Sequence, residues 1–117
     1  MASPILPQPF QASTELFSLA SRVRIHALAL GARIALAESC TGGLAGASLT
    51  EVSGISKVFG GSIVAYDNNL KTTLLEVPEE LMIQYGAVSA PVAKKMAEGV
   101  RLLTKSSIGL AATGIAG

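Results

Sequence analysis

The sequence is poor in the residues that mark several function classes. Aromatic side chains make up 4% of it, too few for the stacking platforms that hold single-stranded nucleic acid. Its formal net charge is +1 and no block of like charges interrupts it, so the basic footprint of a nucleic-acid binder is missing. There is one cysteine, Cys40; this excludes an internal disulfide and fits a reducing compartment. No apolar run approaches the roughly 18 residues of a membrane span. The first ten residues include Pro4, Pro7 and Pro9 and lack the basic start and apolar block of a secretory signal. The expected address is the cytoplasm, with neither nucleic acid nor membrane as a partner.

What is present is mostly apolar. Half of the 117 residues are hydrophobic and 15% are charged, the balance of one globular domain with a real core. Residues 1–12 read as a flexible N-terminal arm and 13–117 as the domain. Ser13 fits a helix N-cap, with Glu15 in the first turn. Leu16, Leu19, Ala20, Val23, Ala27 and Leu30 then recur at helical spacing up to the stop at Gly31. A strand buried on both faces follows over 33–37, then a small-residue helix over about 42–49. A second buried strand is expected over 62–66. Asn68 would cap a short helix through Leu75, and Pro78 would sit in the first turn of another ending near Gly86. Ser89 caps a helix over 90–104 whose inner face is Val92, Met96, Val100 and Leu103. A third buried strand spans 108–112. The alternation predicts an α/β fold, a three-layer α/β/α domain with a largely parallel sheet. The chain stops at Gly117, just after a strand enters a Gly-rich turn. A layered fold needs a covering helix or neighbouring strand next, so the domain reads as incomplete at its C-terminal end.

In open α/β sheets, ligands sit beyond the carboxyl ends of the strands. Three such ends are polar here: Glu38, Ser39, Cys40 and Thr41 at the first, Tyr66, Asp67 and Asn68 at the second, Thr113 and Gly114 at the third. Ser39 stands at a strand-to-helix turn, where a hydroxyl can meet a substrate. Gly42 and Gly43 let backbone N–H groups approach a ligand, and those groups can bind an anion or an oxyanion. The same spacing also suits a plainer role, with Ser39 or Thr41 capping the helix. Glu38 would be either solvated in the cleft or hydrogen-bonded.

A serine nucleophile needs a base. The only histidine, His26, falls inside the first helix, away from the strand ends, so a Ser-His-Asp triad is not expected. The remaining route is Lys71, five residues after Tyr66, which must fall well below its ordinary pKa of about 10.4 to act near neutral pH. An exposed helical lysine is the plainer alternative. Tyr66 could relay a proton or orient substrate, or simply close a strand. Cys40 invites a thiol nucleophile but has no histidine beside it. No His, Cys, Asp and Glu cluster has metal-ligand spacing, and neither phosphate-loop nor dinucleotide Gly fingerprint is present.

Four motifs in order, Ala-Glu-Ser-Cys-Thr-Gly-Gly (37–43), Tyr-Asp-Asn (66–68) with Lys71, Gly-Ala-Val-Ser (86–89) and Thr-Gly-Ile-Ala-Gly (113–117), resemble the C-terminal domain of the CinA family, the nicotinamide-nucleotide amidohydrolases. The resemblance implies hydrolysis of nicotinamide mononucleotide to nicotinic acid mononucleotide and ammonia, without metal or organic cofactor. By the family pattern Ser39 attacks the amide carbon, Lys71 takes its proton and Tyr66 assists. Glu38, Cys40, Thr41, Gly42, Gly43, Asn68, Thr113 and Gly114 would line the substrate pocket. The family tends to form dimers or larger assemblies, so a homo-oligomer is expected. Family members often have serine where Asp67 stands and a bulkier polar or charged pair where Gly60 and Gly61 stand. They also continue beyond the last motif. The alternatives are a non-catalytic nucleotide- or partner-binding domain, or an inactive fragment of such an enzyme.

Overall fold

In chain order the elements are α1 (Thr14–Leu30), β1 (Ile34–Glu38), α2 (Leu44–Thr50), a 3-10 turn (Ile55–Lys57), β2 (Phe59–Val64), α3 (Asn68–Leu75), α4 (Glu79–Tyr85), α5 (Ala90–Thr104) and β3 (Ile108–Ala112). They come from a computed structural model that describes residues 10–115. The three strands are parallel, in the order β2-β1-β3. β1 is central, and all five of its residues are buried.

Side chains alternate across a strand, and β1 uses both faces. Ile34 and Leu36 point to one side and pack with Ala20 and Ala27 of α1 and Leu49 of α2. Ala35 and Ala37 point to the other and pack with Leu75 of α3 and Val92, Met96 and Val100 of α5. The result is the expected three-layer α/β/α fold. The small alanines of β1 let the second layer come close. At Gly99 an added Cβ would run into the Leu75 carbonyl, so the backbones of α3 and α5 touch there.

Local signals act where expected. The Ser13 hydroxyl accepts from the Leu16 N–H at 3.1 Å to start α1, and Gly31 ends it with φ of 63°. The Ser89 hydroxyl accepts from the Val92 N–H at 3.4 Å, with Pro91 in the first turn of α5. No described helix is long and apolar enough to cross a membrane.

Several expectations need correction. β1 runs one residue later than read, through Glu38. β2 begins at Phe59 and ends at Val64, not over 62–66. Its start was hidden by Gly60 and Gly61, and the register with β1 shifts there between Ile34 and Ala35. β2 and β3 are only partly covered, because β1 alone has a strand on each side. α2 starts at Leu44, and Pro78 caps α4 from outside it. Leu103 is exposed rather than internal. The stripe of α1 is only partly used: Leu19, Val23 and Leu30 stay exposed. With Ile34, Ile108 and Leu110 they line an open apolar groove of about 400 Å³. Of the arm expected over 1–12, residues 1–9 lie outside the described residues; the Ala12 N–H donates to both Glu51 carboxylate oxygens at 3.0 Å.

Candidate active site

The carboxyl ends of the strands meet at Glu38 and Ser39. The Ala65 N–H, just past β2, donates to the Glu38 carbonyl at 2.8 Å, and the Ser39 N–H donates to the Ala112 carbonyl of β3 at 3.0 Å. The parallel register therefore delivers all three polar ends to one edge of the sheet.

Glu38 is 1% exposed and its carboxylate is fully engaged. Oε1 accepts from the Thr41 hydroxyl and the Ala45 N–H, both at 2.8 Å, and Oε2 accepts from the Gly46 N–H at 3.0 Å. The Ser62 hydroxyl is buried beside it on the partly covered β2 and has no hydrogen-bond partner among the described residues. Burial pushes the Glu38 carboxyl up. The hydrogen bond from Thr41, those from the Gly46 and Ala45 N–H groups and the nearby Ser62 hydroxyl together outweigh burial, so it stays charged below its ordinary value of 4.5. Glu38 thus caps α2 from the preceding strand. Gly43, the residue in the N-cap position, contributes no side chain. Neither Ser39 nor Thr41 caps the helix, which corrects the plainer reading of both.

That leaves Ser39 unclaimed. It is 4% exposed. Its carbonyl accepts from the Gly42 N–H at 3.0 Å, while its hydroxyl has no hydrogen-bond partner among the described residues. Gly42 and Gly43 have φ of 61° and 107°, left-handed values that glycine adopts without a steric penalty. They turn the chain sharply enough for Glu38 to face the start of α2. Since the Ala45 and Gly46 N–H groups are occupied, they are not oxyanion donors. The N–H groups of Cys40, Thr41 and Gly43 make no hydrogen bond among the described residues and remain the candidates for that role.

The second strand end holds Lys71, which is 3% exposed. Asp67, not Asn68, caps α3: its Oδ1 accepts from the Asn69 N–H at 3.0 Å. Asn68 is instead the first helical residue, and its Oδ1 accepts from Lys71 Nζ at 3.1 Å. The same Nζ donates to the Tyr66 carbonyl at 3.4 Å. Burial pushes the Lys71 amine below its ordinary 10.5, and electrostatic attraction, chiefly to Asp67, only partly restores it. Tyr66 is 65% exposed; what reaches Lys71 is its backbone carbonyl.

The third end packs onto the first. A Cβ at Gly114 would come within 3.0 Å of Cys40 Sγ. The Thr113 hydroxyl donates to the Ala87 carbonyl at 3.1 Å and ties β3 to the 86–89 motif. Cys40 is therefore the link, touching the β3 end and lying within electrostatic range of Lys71. His26 stays exposed on α1, beside the apolar groove.

The family model for the CinA C-terminal domain matches residues 16–117. The chain belongs to the CinA C-terminal domain family. A CinA-like protein of Dictyoglomus turgidum is 58% identical over 87 residues, 74% of this chain and 21% of its own length. One of Gloeobacter violaceus is 50% identical over 100 residues, 86% of this chain and 24% of its own. The structure of competence/damage inducible protein CihA from Agrobacterium tumefaciens matches with a TM-score of 0.85 at 37% identity, over 93% of this chain and 66% of that one. The chain therefore spans about one fifth of the first of these curated relatives.

In this CinA domain two residues of the site were not foreseen from sequence. Gly46 is one: an added Cβ would meet the Ser62 hydroxyl and come within 3.2 Å of Glu38 Oε2. Ser62 is the other. The available signal was a helix of unusually small residues directly after a strand-end carboxylate. Among the described residues no three His, Cys, Asp or Glu side chains are grouped to hold a metal ion.

Proposed function

We propose that this CinA domain is a serine amidohydrolase that converts nicotinamide mononucleotide to nicotinic acid mononucleotide and ammonia, in the cytoplasm. One observation carries the reading. An uncapped strand-end serine, Ser39, shares a sheet edge with a buried lysine, Lys71, whose environment disfavours its charge. A weak hydroxyl nucleophile needs a neutral amine or imidazole nearby, and a desolvated lysine supplies one.

Neutral Lys71 takes the Ser39 proton as the hydroxyl oxygen attacks the carboxamide carbon. The oxygen of the resulting tetrahedral adduct takes the Cys40, Thr41 and Gly43 N–H groups as its donors. Lys71 then passes the proton to the departing nitrogen, which leaves as ammonia, and an ester to Ser39 remains. Water, deprotonated by the same amine, attacks that ester; the amine returns the proton to the departing Ser39 oxygen, and the acid is released. Asn68 and the Tyr66 carbonyl orient Lys71 throughout.

The test is ammonia release from nicotinamide mononucleotide, with Ser39→Ala alongside. Turnover that vanishes in the variant while the substrate still binds supports the reading. Near-normal turnover in Ser39→Ala removes the nucleophile, and binding without any ammonia from the unaltered protein points to a nucleotide-binding domain instead.

A further inference from the structure

Lys71 Nζ is hydrogen-bonded to the residues on either side of Asp67, the Tyr66 carbonyl and the Asn68 side chain. The amine therefore folds back over the first turn of its own helix, where the positive end of the helix dipole opposes a cation. Asp67 sits at that end. Its carboxylate is held in place by the Asn69 N–H at 3.0 Å, and its carbonyl accepts from the Lys71 N–H at 3.3 Å.

We propose that Asp67 is a positioning residue that keeps a counter-charge against the Lys71 amine and so sets the pH at which the proposed base becomes neutral. The inference rests on Lys71 being that base. Asp67 does two separable jobs, capping α3 and supplying charge. Asn and Ser cap helices about as well as Asp but carry no charge.

The groups facing the amine are few. Asp67 comes from its own helix and Cys40 from the β1–α2 turn. α5, which packs on α3, presents Met96 and Gly99 to it; Lys94 and Lys95 are exposed, and Glu98 pairs with Lys95 at 3.4 Å. The Glu38 carboxylate is turned to α2. Among the described residues Asp67 is thus the carboxylate that acts on the amine, through space rather than as a direct ion pair. It is also exposed, so its influence is weakened by salt.

The experiment is a titration of Lys71 in the whole protein, followed by NMR at its Cε, with Asp67→Asn and Asp67→Ser beside the unaltered chain. Both variants keep a cap. Both are expected to move the Lys71 midpoint to lower pH, by an amount that shrinks as ionic strength rises. The acid limb of the pH–rate profile for ammonia release should move the same way, making Asp67→Asn faster than the parent on that limb. A midpoint that stays put or rises in both variants overturns the proposal. If no form releases ammonia, the amidohydrolase reading fails by itself, and the NMR titration still decides the role of Asp67.

Discussion

Glu38 and Lys71 are the two buried charged residues among those described, and the fold houses them in opposite ways. Glu38 receives three hydrogen bonds from Thr41, Ala45 and Gly46, with Ser62 alongside. Lys71 has two acceptors, at 3.1 and 3.4 Å, and sits at the unfavourable end of a helix. Both have their pKa lowered, but for a carboxylate this strengthens the charge and for an amine it weakens it. A satisfied charge is fixed architecture. An under-satisfied one gives up its proton more easily than an amine in water. The first builds the turn that holds Ser39; the second is the proposed base.

The largest expected effect breaks the Lys71 side. Lys71→Met, similar in volume but unable to accept a proton, should cut ammonia release by about 10²–10⁴-fold, while its melting temperature holds or rises because a poorly compensated charge is gone. A clear drop in melting temperature would mean that Lys71 is architecture like Glu38. Next comes Glu38→Ala, which strands the Thr41 hydroxyl and two backbone N–H groups. It should lower stability by about 1–3 kcal/mol or more in denaturant unfolding; Glu38→Gln, which keeps an acceptor, should lose less. A loss at the lower end of about 1–3 kcal/mol is expected from Gly46→Ala, from crowding. Part of it should return when Ser62→Ala is added, since the new methyl meets the Ser62 hydroxyl.

The subtlest effect is the dependence of stability on pH. Because the folded-state pKa of Glu38 is depressed, its contribution is present above its unfolded value of 4.5 and is lost as pH falls through the folded value. Lys71 gives the reverse end of the profile. Folded protein releases its proton before the unfolded chain does, so stability rises as pH climbs from the folded value toward 10.5. Glu38→Gln should flatten the acid slope and Lys71→Met the alkaline one, each leaving the other unchanged, as read from urea midpoints across pH.

The sequence made one half of this comparison much easier to see than the other. Apolar runs and caps marked β3, α1 and α5 through Ser13, Gly31 and Ser89, because those signals act within a turn. The three polar strand ends followed from parallel topology. The Glu38 cap did not: it reaches from position 38 to 45 and 46, outside the three- or four-residue span of ordinary capping rules. The choice between Asp67 and Asn68 as cap was also hidden, since either side chain can do it. In the fold Asp67 takes the cap, and Asn68 Oδ1 accepts from Lys71 Nζ instead. Nothing in a lone lysine announces burial. That comes from the packing of α3 beneath it and the strand ends around it. The open stripe of α1 was equally illegible, because periodicity shows which residues could be covered, not which are.

One NMR pH series reading Glu38 and Lys71 together tests the contrast directly. The account predicts both midpoints below their ordinary values, Glu38 under 4.5 and Lys71 under 10.5. A Lys71 midpoint at or above 10.5 would contradict it, leaving Ser39 without the base on which its proposed chemistry depends.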